Sequence, residues 1–271
     1  MTWTQITDKK EFITLAEKIC GHNQARYSLL YGMSLDLDKY GSHYMLQYND
    51  EALALQTNPN KAMVVSDLTI QASIELAKWI ESHSDVKEIV GTKDTINQTL
   101  DQMRKTHPDY PELIMDQRIY ELKQLDKPNK IKSKMVLATE IHFKLVQEWF
   151  SQFLIDAFID TNPSKEKTKA LAETRLNNKE VYLLIHEGNP VSMACSSRPT
   201  PDCITVNGVF TPIEYRRNGY AQEIVYLLSK ELLKNYKSCC LYTDLANNTS
   251  NNIYQKVGFK PICDSLHYKI A

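Results

Sequence analysis

A short run of residues, Arg216 to Ala221, has the composition of a phosphate-binding loop. It reads Arg-Arg-Asn-Gly-Tyr-Ala and lies between a strand-like run and a predicted helix over 220–235. A glycine at the start of a helix lets a ligand approach the backbone closely. The free N–H groups and the helix dipole there favour a bound anion, and the two arginines add positive charge. The residues alone also allow an ordinary strand-to-helix turn with solvated arginines.

The sequence lacks the two commonest nucleotide-binding signatures. Neither G-x-x-x-x-G-K nor G-x-G-x-x-G is present, and the whole chain has only 8 glycines. Metal-binding spacing is also missing, because the six cysteines form no C-x-x-C pair and the histidines are scattered. We therefore expect no metal site. We expect free, reduced cysteines that act as small apolar side chains.

Two sequence motifs resemble those of one enzyme superfamily. Arg216 to Ala221 matches the Q/R-x-x-G-x-G/A pattern of the GNAT superfamily of acyl-CoA N-acyltransferases. Further along, Asn247 is followed by a predicted short helix that carries Tyr254 and then by a Gly-Phe pair. This order is similar to the closing signature of the same superfamily. The resemblance covers roughly Met135–Ala271, and the first half of the chain carries neither motif.

The resemblance implies that acetyl-CoA binds as the acyl donor and that no metal is needed. Val209, Phe210 and Thr211 end the strand that would splay from its parallel neighbour, where the backbone would hydrogen-bond the pantetheine arm. The pyrophosphate would be held largely by backbone N–H groups of the following loop: Arg216, Arg217, Asn218, Gly219, Tyr220 and Ala221. Asn247 and Ser250 would contact the cofactor from the other wall.

The resemblance also assigns the catalytic groups. Tyr254 occupies the position of the usual general acid, which protonates the departing CoA thiolate; the residues alone also allow a ring that packs under the sheet. Many relatives carry a glutamate as general base on the strand before the loop, but the aligned residue here is Thr205. Strand alternation places Asn207 and Val209 on the same face, and neither is a base. Deprotonation through water, a neutral amine, or a carboxylate from the first half all remain open.

A mixed α/β fold is needed to position these residues. The second half predicts the order β-α-α-β-β-β-α-β-α-β-β, in which strands 204–210 and 239–243 are parallel and joined by a helix. Its last two strands are predicted as separate runs, 259–262 and 266–270. The first half also predicts an α/β order, which is compatible with a degenerate copy of the same fold.

A polar segment from Gln124 to Lys134 contains a Pro-Asn turn signal and is the best candidate for a domain boundary. It divides the chain into an N-terminal α/β domain, 1–126, and a GNAT-like domain, 133–271. Packed against the second domain, the first would wall the acceptor site and help to set its specificity.

The overall composition is that of a globular protein. The chain has 271 residues, of which 42% are hydrophobic and 24% charged, and its net charge is −1. This excludes a disordered chain and a disulfide scaffold, and it provides no basic field for a nucleic acid or an anionic membrane. With no apolar stretch of membrane-spanning length and no signal-peptide pattern at the start, we expect a cytoplasmic protein.

The sequence therefore predicts an acetyl-CoA-dependent N-acetyltransferase that acts on a small-molecule or peptide amine by direct attack on the thioester. One alternative is a CoA-binding sensor or scaffold without turnover, which the threonine at position 205 favours. Another is an acyltransferase that uses aminoacyl-tRNA as donor, as some tandem proteins of this superfamily do. The near-neutral charge and the retained pyrophosphate motif count against the tRNA alternative.

Overall fold

The computed structural model describes residues 2–106, 111–126, 132–157 and 159–270. It is a mixed α/β fold in which these residues form one sheet of twelve strands with helices on both faces. Residues 127–131, the centre of the predicted polar linker, lie outside the described residues. The first half contributes β1 (Thr4–Gln5), α1 (Lys9–Cys20), α2 (Ser28–Ser34), α3 (Leu37–Tyr40), β2 (Tyr44–Tyr48), β3 (Ala52–Gln56), β4 (Met63–Val65), α4 (Ile70–Glu81), β5 (Glu88–Thr92), α5 (Lys93–Thr106) and β6 (Glu112–Leu122).

The second half follows the order that the sequence predicts, with one difference. Its elements are β7 (Lys134–Leu137), α6 (Phe143–Asp156), α7 (Lys165–Asn177), β8 (Val181–His186), β9 (Asn189–Ser197), β10 (Cys203–Phe210), α8 (Tyr220–Leu232), β11 (Ser238–Asp244), α9 (Asn248–Val257) and β12 (Lys260–Lys269). The two predicted closing strands are wrong, because β12 is one long strand. Its polar middle residue, Asp264, is paired with Arg118 of β6, so the polar run does not end the strand.

Both halves have the same topology. In each half, the first four strands are antiparallel neighbours. The fourth strand then pairs in parallel with the fifth through a crossover helix, as β4 does with β5 and β10 with β11. Helices α4 and α5 of the first half correspond in order to α8 and α9 of the second. The first half therefore repeats the topology of the second, in agreement with its α/β element order.

The two halves exchange their last strands. The sheet order is β1-β2-β3-β4-β5-β12-β6-β11-β10-β9-β8-β7, so that β6 lies between two strands of the second half. Tyr120 on β6 donates a hydrogen bond from its hydroxyl to Asn251 Oδ1 on α9, at 3.0 Å. Arg118 on β6 donates two hydrogen bonds to Asp264 on β12, at 2.7 and 3.1 Å. We propose that 1–126 and 133–271 are repeats of the fold that share one sheet.

The strand exchange predicts a single cooperative unfolding transition for the whole chain. Opening one half removes β6 or β12 from the other and leaves buried backbone groups without partners, so neither half keeps its sheet alone. Calorimetry and near-ultraviolet circular dichroism should report coincident transitions. A fragment 133–271 should show no cooperative transition, since it lacks β6. Two separated transitions, with one half still native after the first, would contradict this coupling.

The helices pack on the sheet in two layers. In the second half, α8 and α9 cover one face, while α6 and α7 cover the other. Helix α2 of the first half lies on the α6 face beside β10 and β11, where Ser28 Oγ donates a hydrogen bond to the Tyr242 hydroxyl at 3.2 Å. Ala25, just before α2, packs with Cys203 and Cys240. The first half therefore covers part of the α6 face of the second half.

The cysteines are free, as predicted. Five are buried and Cys263 is partly buried. Across the described part of the chain, no helix combines the length and the apolar character needed to cross a membrane.

Candidate functional site

Strands β10 and β11 are paired for only part of their length. Their parallel pairing runs from Cys203 opposite Ser238 to Thr205 opposite Cys240 and then stops. Beyond that point β10 stays with β9, and β11 stays with β6 as far as Asp244. Residues 206–210 therefore separate from residues 241–244. We call this opening the slot; its backbone edges are free to accept an extended ligand as an added strand.

A β-bulge bends β10 beside the slot. The register with β9 shifts between Asn207 and Phe210, and Gly208 has a positive φ of 58°. A Cβ on Gly208 would lie 3.0 Å from Cys195 Sγ, so glycine fits this position best. The bulge also corrects the predicted alternation: Asn207 lies on the α6 face, but Val209 packs with the α8 cluster. A bulge inserts one residue and so reverses the faces that follow it.

The loop after β10 ends on the N-terminus of α8, as the sequence predicts. Gly219 is the N-cap residue, with a φ of 86° and no side-chain cap, and an added Cβ would meet nothing within 4 Å. Arg217 also has a positive φ, 65°. The first N–H groups of α8, from Tyr220 and Ala221 onward, have no acceptor within the helix. This open, positively polarised end is able to hold a phosphate group.

The polar side chains of this loop have distinct surroundings. Arg216 donates from Nε to the Thr211 carbonyl at 2.9 Å and forms an ion pair with Asp156 of α6. It therefore ties the loop to α6 and leaves the backbone as the principal anion donor. Asn218 donates to two loop carbonyls, at 3.1 and 3.2 Å, and so stiffens the same turn. Arg217 is exposed.

Helix α9 follows β11, the second strand of the slot. Asn247 caps this helix, since its side chain accepts a hydrogen bond from the Ser250 backbone N–H at 3.0 Å. Asn251 is held by Tyr120 from the first half and donates to the carbonyls of residues 244 and 247. The predicted residues Asn247 and Ser250 thus lie at the helix end that borders β11. Tyr120 was missed by sequence reasoning, because strand exchange alone brings it there.

Tyr254 lies inside the cluster that borders the slot. It is 8% exposed and belongs to the same buried cluster as Val206 and Leu241, the first residues of the two strands beyond their last pair. Burial raises the pKa of its phenol to about 12, and the neighbouring Ser250 offsets part of this effect. The hydroxyl is therefore protonated at neutral pH and able to donate a proton or a hydrogen bond.

The α6 face carries a polar cluster where the parallel pairing ends. Thr205 is 1% exposed, and its Oγ1 lies 3.5 Å from Cys240 Sγ. Asn207 Nδ2 donates to Ser197 Oγ at 2.6 Å. A hydrogen bond from the Cys203 thiol lowers the pKa of the Cys240 thiol, against the effect of burial. Thr205 and Asn207 accept no proton at neutral pH. The sequence predicts Cys240 as a small apolar side chain and does not predict its polar neighbours here.

The first half has no equivalent of the open loop. Its strand β4 leads to α4 through residues 66–69 alone, and Thr69 caps the helix by accepting from the Ala72 N–H at 3.2 Å. The Leu68 N–H donates to Thr95 Oγ1 at 3.1 Å. The loop also carries Asp67, whose carboxylate pairs with Arg26 at 2.8 Å. Two of its backbone donors are occupied and it carries a carboxylate, so this end of α4 is less suited to a phosphate than the start of α8.

Comparisons with known proteins agree with this fold. The family model of FR47-like proteins matches residues 182–268. An acetyltransferase of the GNAT family from Colwellia psychrerythraea is similar over 100% of both chains, with 13% identity and a TM-score of 0.63. A GCN5-related N-acetyltransferase from Kribbella flavida is similar over 92% of this chain and 95% of its own, with 12% identity and a TM-score of 0.63. A Drosophila protein is similar over 99% of this chain and 98% of its own, with 10% identity and a TM-score of 0.67.

These likenesses to solved structures show the fold, and no curated protein matches the chain in sequence. The family match covers β8 to β12, which includes the slot, the Gly219 loop and α9. The second half of the chain therefore carries a GNAT domain.

Proposed function

We propose that the protein is an acetyl-CoA-dependent N-acetyltransferase, with a small-molecule or peptide amine as acceptor. The observation that carries this proposal is the early end of the β10–β11 pairing at Thr205 and Cys240. Strand β10 then leads to α8, whose N-cap residue, Gly219, has no side chain to cap the helix. One end of the opening suits an extended pantetheine arm, and the other suits a pyrophosphate. Both belong to the GNAT domain.

In this proposal each group of the chain has a limited task. Acetyl-CoA supplies the activated acetyl group. The free backbone edge of residues 206–210 aligns the thioester, and a backbone N–H there polarises its carbonyl. Tyr254 gives its phenolic proton to the sulfur as the bond to the acetyl carbon breaks, and the proton that the attacking nitrogen loses to water restores the phenol. Most of the rate enhancement comes from holding the amine and the thioester at attack distance.

The side chains at positions 205 and 207 predict how kcat/KM depends on pH. Because Thr205 and Asn207 take up no proton at neutral pH, we propose that the amine loses its own proton to solvent before attack. The reactive neutral fraction grows as pH rises, so we expect kcat/KM to increase ~10-fold per pH unit below the pKa of the amine. Tyr254, with its pKa near 12, stays protonated throughout this range. Rate profiles for two amines of different pKa should shift accordingly; a common midpoint for both would reveal a base on the enzyme.

A CoA-binding sensor without turnover is the second candidate function, and the buried threonine at position 205 favours it. Release of free thiol from acetyl-CoA, measured with and without each member of an amine panel, separates the two functions. Mass spectrometry of the acetylated amine confirms the transfer. We expect amine-dependent thiol release. Tight acetyl-CoA binding with no release for any amine would support the sensor instead.

A further inference from the structure

A cleft separates the two halves on the α6 face. It has a volume of about 490 Å3. The first half supplies one wall from α2 and the turn into α3, and the second half supplies the other from the α7–β8 turn and the adjoining ends of β9 and β10. The residues that line the cleft include Gly32, Asp36, Lys39, Asn178, Ser197 and Ile204.

The inner end of the cleft reaches the polar cluster beside the slot. Ser197 lines the cleft, pairs in register with Thr205 and accepts the hydrogen bond from Asn207. Ile204, another lining residue, directly precedes Thr205, where the parallel pairing ends. The cleft therefore ends beside the last residues of the parallel pairing, where the slot begins.

The walls of the cleft are fixed by contacts between the halves. Glu180 is buried and accepts from Lys39 of the first half at 2.6 Å and from Arg175 of the second half at 2.6 Å. Gly32 lets α2 lie directly on the β9–β10 connection, since a Cβ there would be 2.7 Å from Arg198 Cβ. A cleft held in this way needs little reorganisation to bind a ligand.

We propose that this cleft binds the acceptor, and that the acceptor is a small, polar primary amine rather than a lysine on a folded protein. This inference rests on the proposed function. The volume is that of a small-molecule site, and the lining offers hydroxyl and amide groups at Ser197 and Asn178. The lining holds two lysines, Lys39 and Lys179, and two carboxylates, of which Glu180 is already paired with Lys39 and Arg175. The exposed carboxylate of Asp36 is therefore the group of the lining that is able to pair with an ammonium group.

A first pair of variants tests the position of the site. Asn178 is exposed and lines the cleft, while Asn177 is its exposed neighbour on α7 outside the lining. Asn178→Trp should fill the cleft and lower kcat/KM for the amine ~10-fold or more, as expected for steric conflict in a binding pocket. Asn177→Trp should match the wild type. Acetyl-CoA affinity, measured by calorimetry, should be unchanged in both variants.

A second pair tests the charge. Asp36 caps α3 by accepting the Lys39 N–H, a role that asparagine keeps, and Asp38 is a nearby exposed aspartate outside the lining. Asp36→Asn should raise KM for a cationic amine by ~2- to 5-fold, the strength of one exposed charge pair. Asp38→Asn should leave KM unchanged.

The assay uses the full chain with ethanolamine, D-glucosamine, L-lysine and a peptide that contains a single lysine. Turnover of the free amines, with loss on Asn178→Trp and none on Asn177→Trp, supports the site. Equal turnover by both tryptophan variants, or turnover of the peptide alone, would overturn it while the proposed function survives. If no amine releases thiol although acetyl-CoA binds, the proposed function itself fails.

Discussion

Gly219→Glu is expected to remove the thermal stabilisation that acetyl-CoA gives the wild-type protein. At one hundred times its Kd, acetyl-CoA should stabilise the wild type by ~2.7 kcal/mol. Gly219 is the N-cap of α8, and an added Cβ there would meet no atom within 4 Å. A glutamate there places bulk and negative charge where the pyrophosphate would lie, and it opposes the anion at the helix N-terminus. We therefore expect no ligand-induced shift in Tm.

The matched control for this variant is Gly188→Glu. Gly188 lies in the β8–β9 turn with a φ of 82° and, like Gly219, has no atom within 4 Å of an added Cβ. Both substitutions place a side chain at positive φ, which costs about 1–3 kcal/mol of stability. The two variants should lose similar stability without ligand, and only Gly219→Glu should lose the response to acetyl-CoA. A normal response in Gly219→Glu would refute the pyrophosphate assignment.

Tyr254→Phe is expected to lower kcat by ~10²- to 10⁴-fold, the usual contribution of a positioned acid. The substitution keeps the ring in its buried cluster and removes only the hydroxyl. KM for acetyl-CoA and the Tm should therefore change little, a pattern that marks an interaction made in the transition state. Steady-state kinetics with an amine identified in the thiol assay measures both parameters.

Tyr226→Phe is the matched control, because Tyr226 of α8 packs against the same cluster. It should keep wild-type kcat. If Tyr254→Phe also turns over at the wild-type rate, Tyr254 is a core residue and the thiolate leaves through water. A fall in Tm for Tyr254→Phe with no fall in kcat would lead to the same conclusion.

The chemistry-bearing loop was predictable because its signals are local. Arg216 to Ala221 is one contiguous run, and a glycine directly before an amphipathic pattern indicates where the helix begins. The βαβ unit that holds it was predictable for the same reason, since hydrophobic periodicity and chain order determine which strands are parallel. Asn247 and Tyr254 lie close together in the sequence, because Asn247 caps the short helix α9 and Tyr254 lies within it. The described structure places these residues around the same opening.

The exchange of strands was beyond prediction because it depends on contacts across the whole chain. Nothing in the sequence of β6 indicates that its neighbours are β11 and β12, and Tyr120 reaches α9 for that reason alone. The bulge at Gly208 was missed because one inserted residue leaves little trace in an apolar run. It reverses the face of Val209, so the alternation holds for Thr205 and Asn207 only.

The first half shows why a fold can persist without its motif. Its topology matches that of the second half, yet the connection between β4 and α4 is reduced to residues 66–69. Asp67 and the capping Thr69 occupy the end of that helix, so a search for phosphate-binding residues finds none there. The first half thus keeps the topology of the fold but lacks the loop to which we assign phosphate binding. We expect one acetyl-CoA site, in the second half.

Hydrogen exchange measured by mass spectrometry, with and without acetyl-CoA, tests this account most directly. The free backbone edge of residues 206–210 and the amides at the start of α8 should become protected together. Peptides that cover the equivalent positions of the first half, 63–72 and 88–93, should exchange as before. Protection of the first-half peptides, or exchange at residues 206–222 that acetyl-CoA leaves unchanged, would contradict the assignment of the slot.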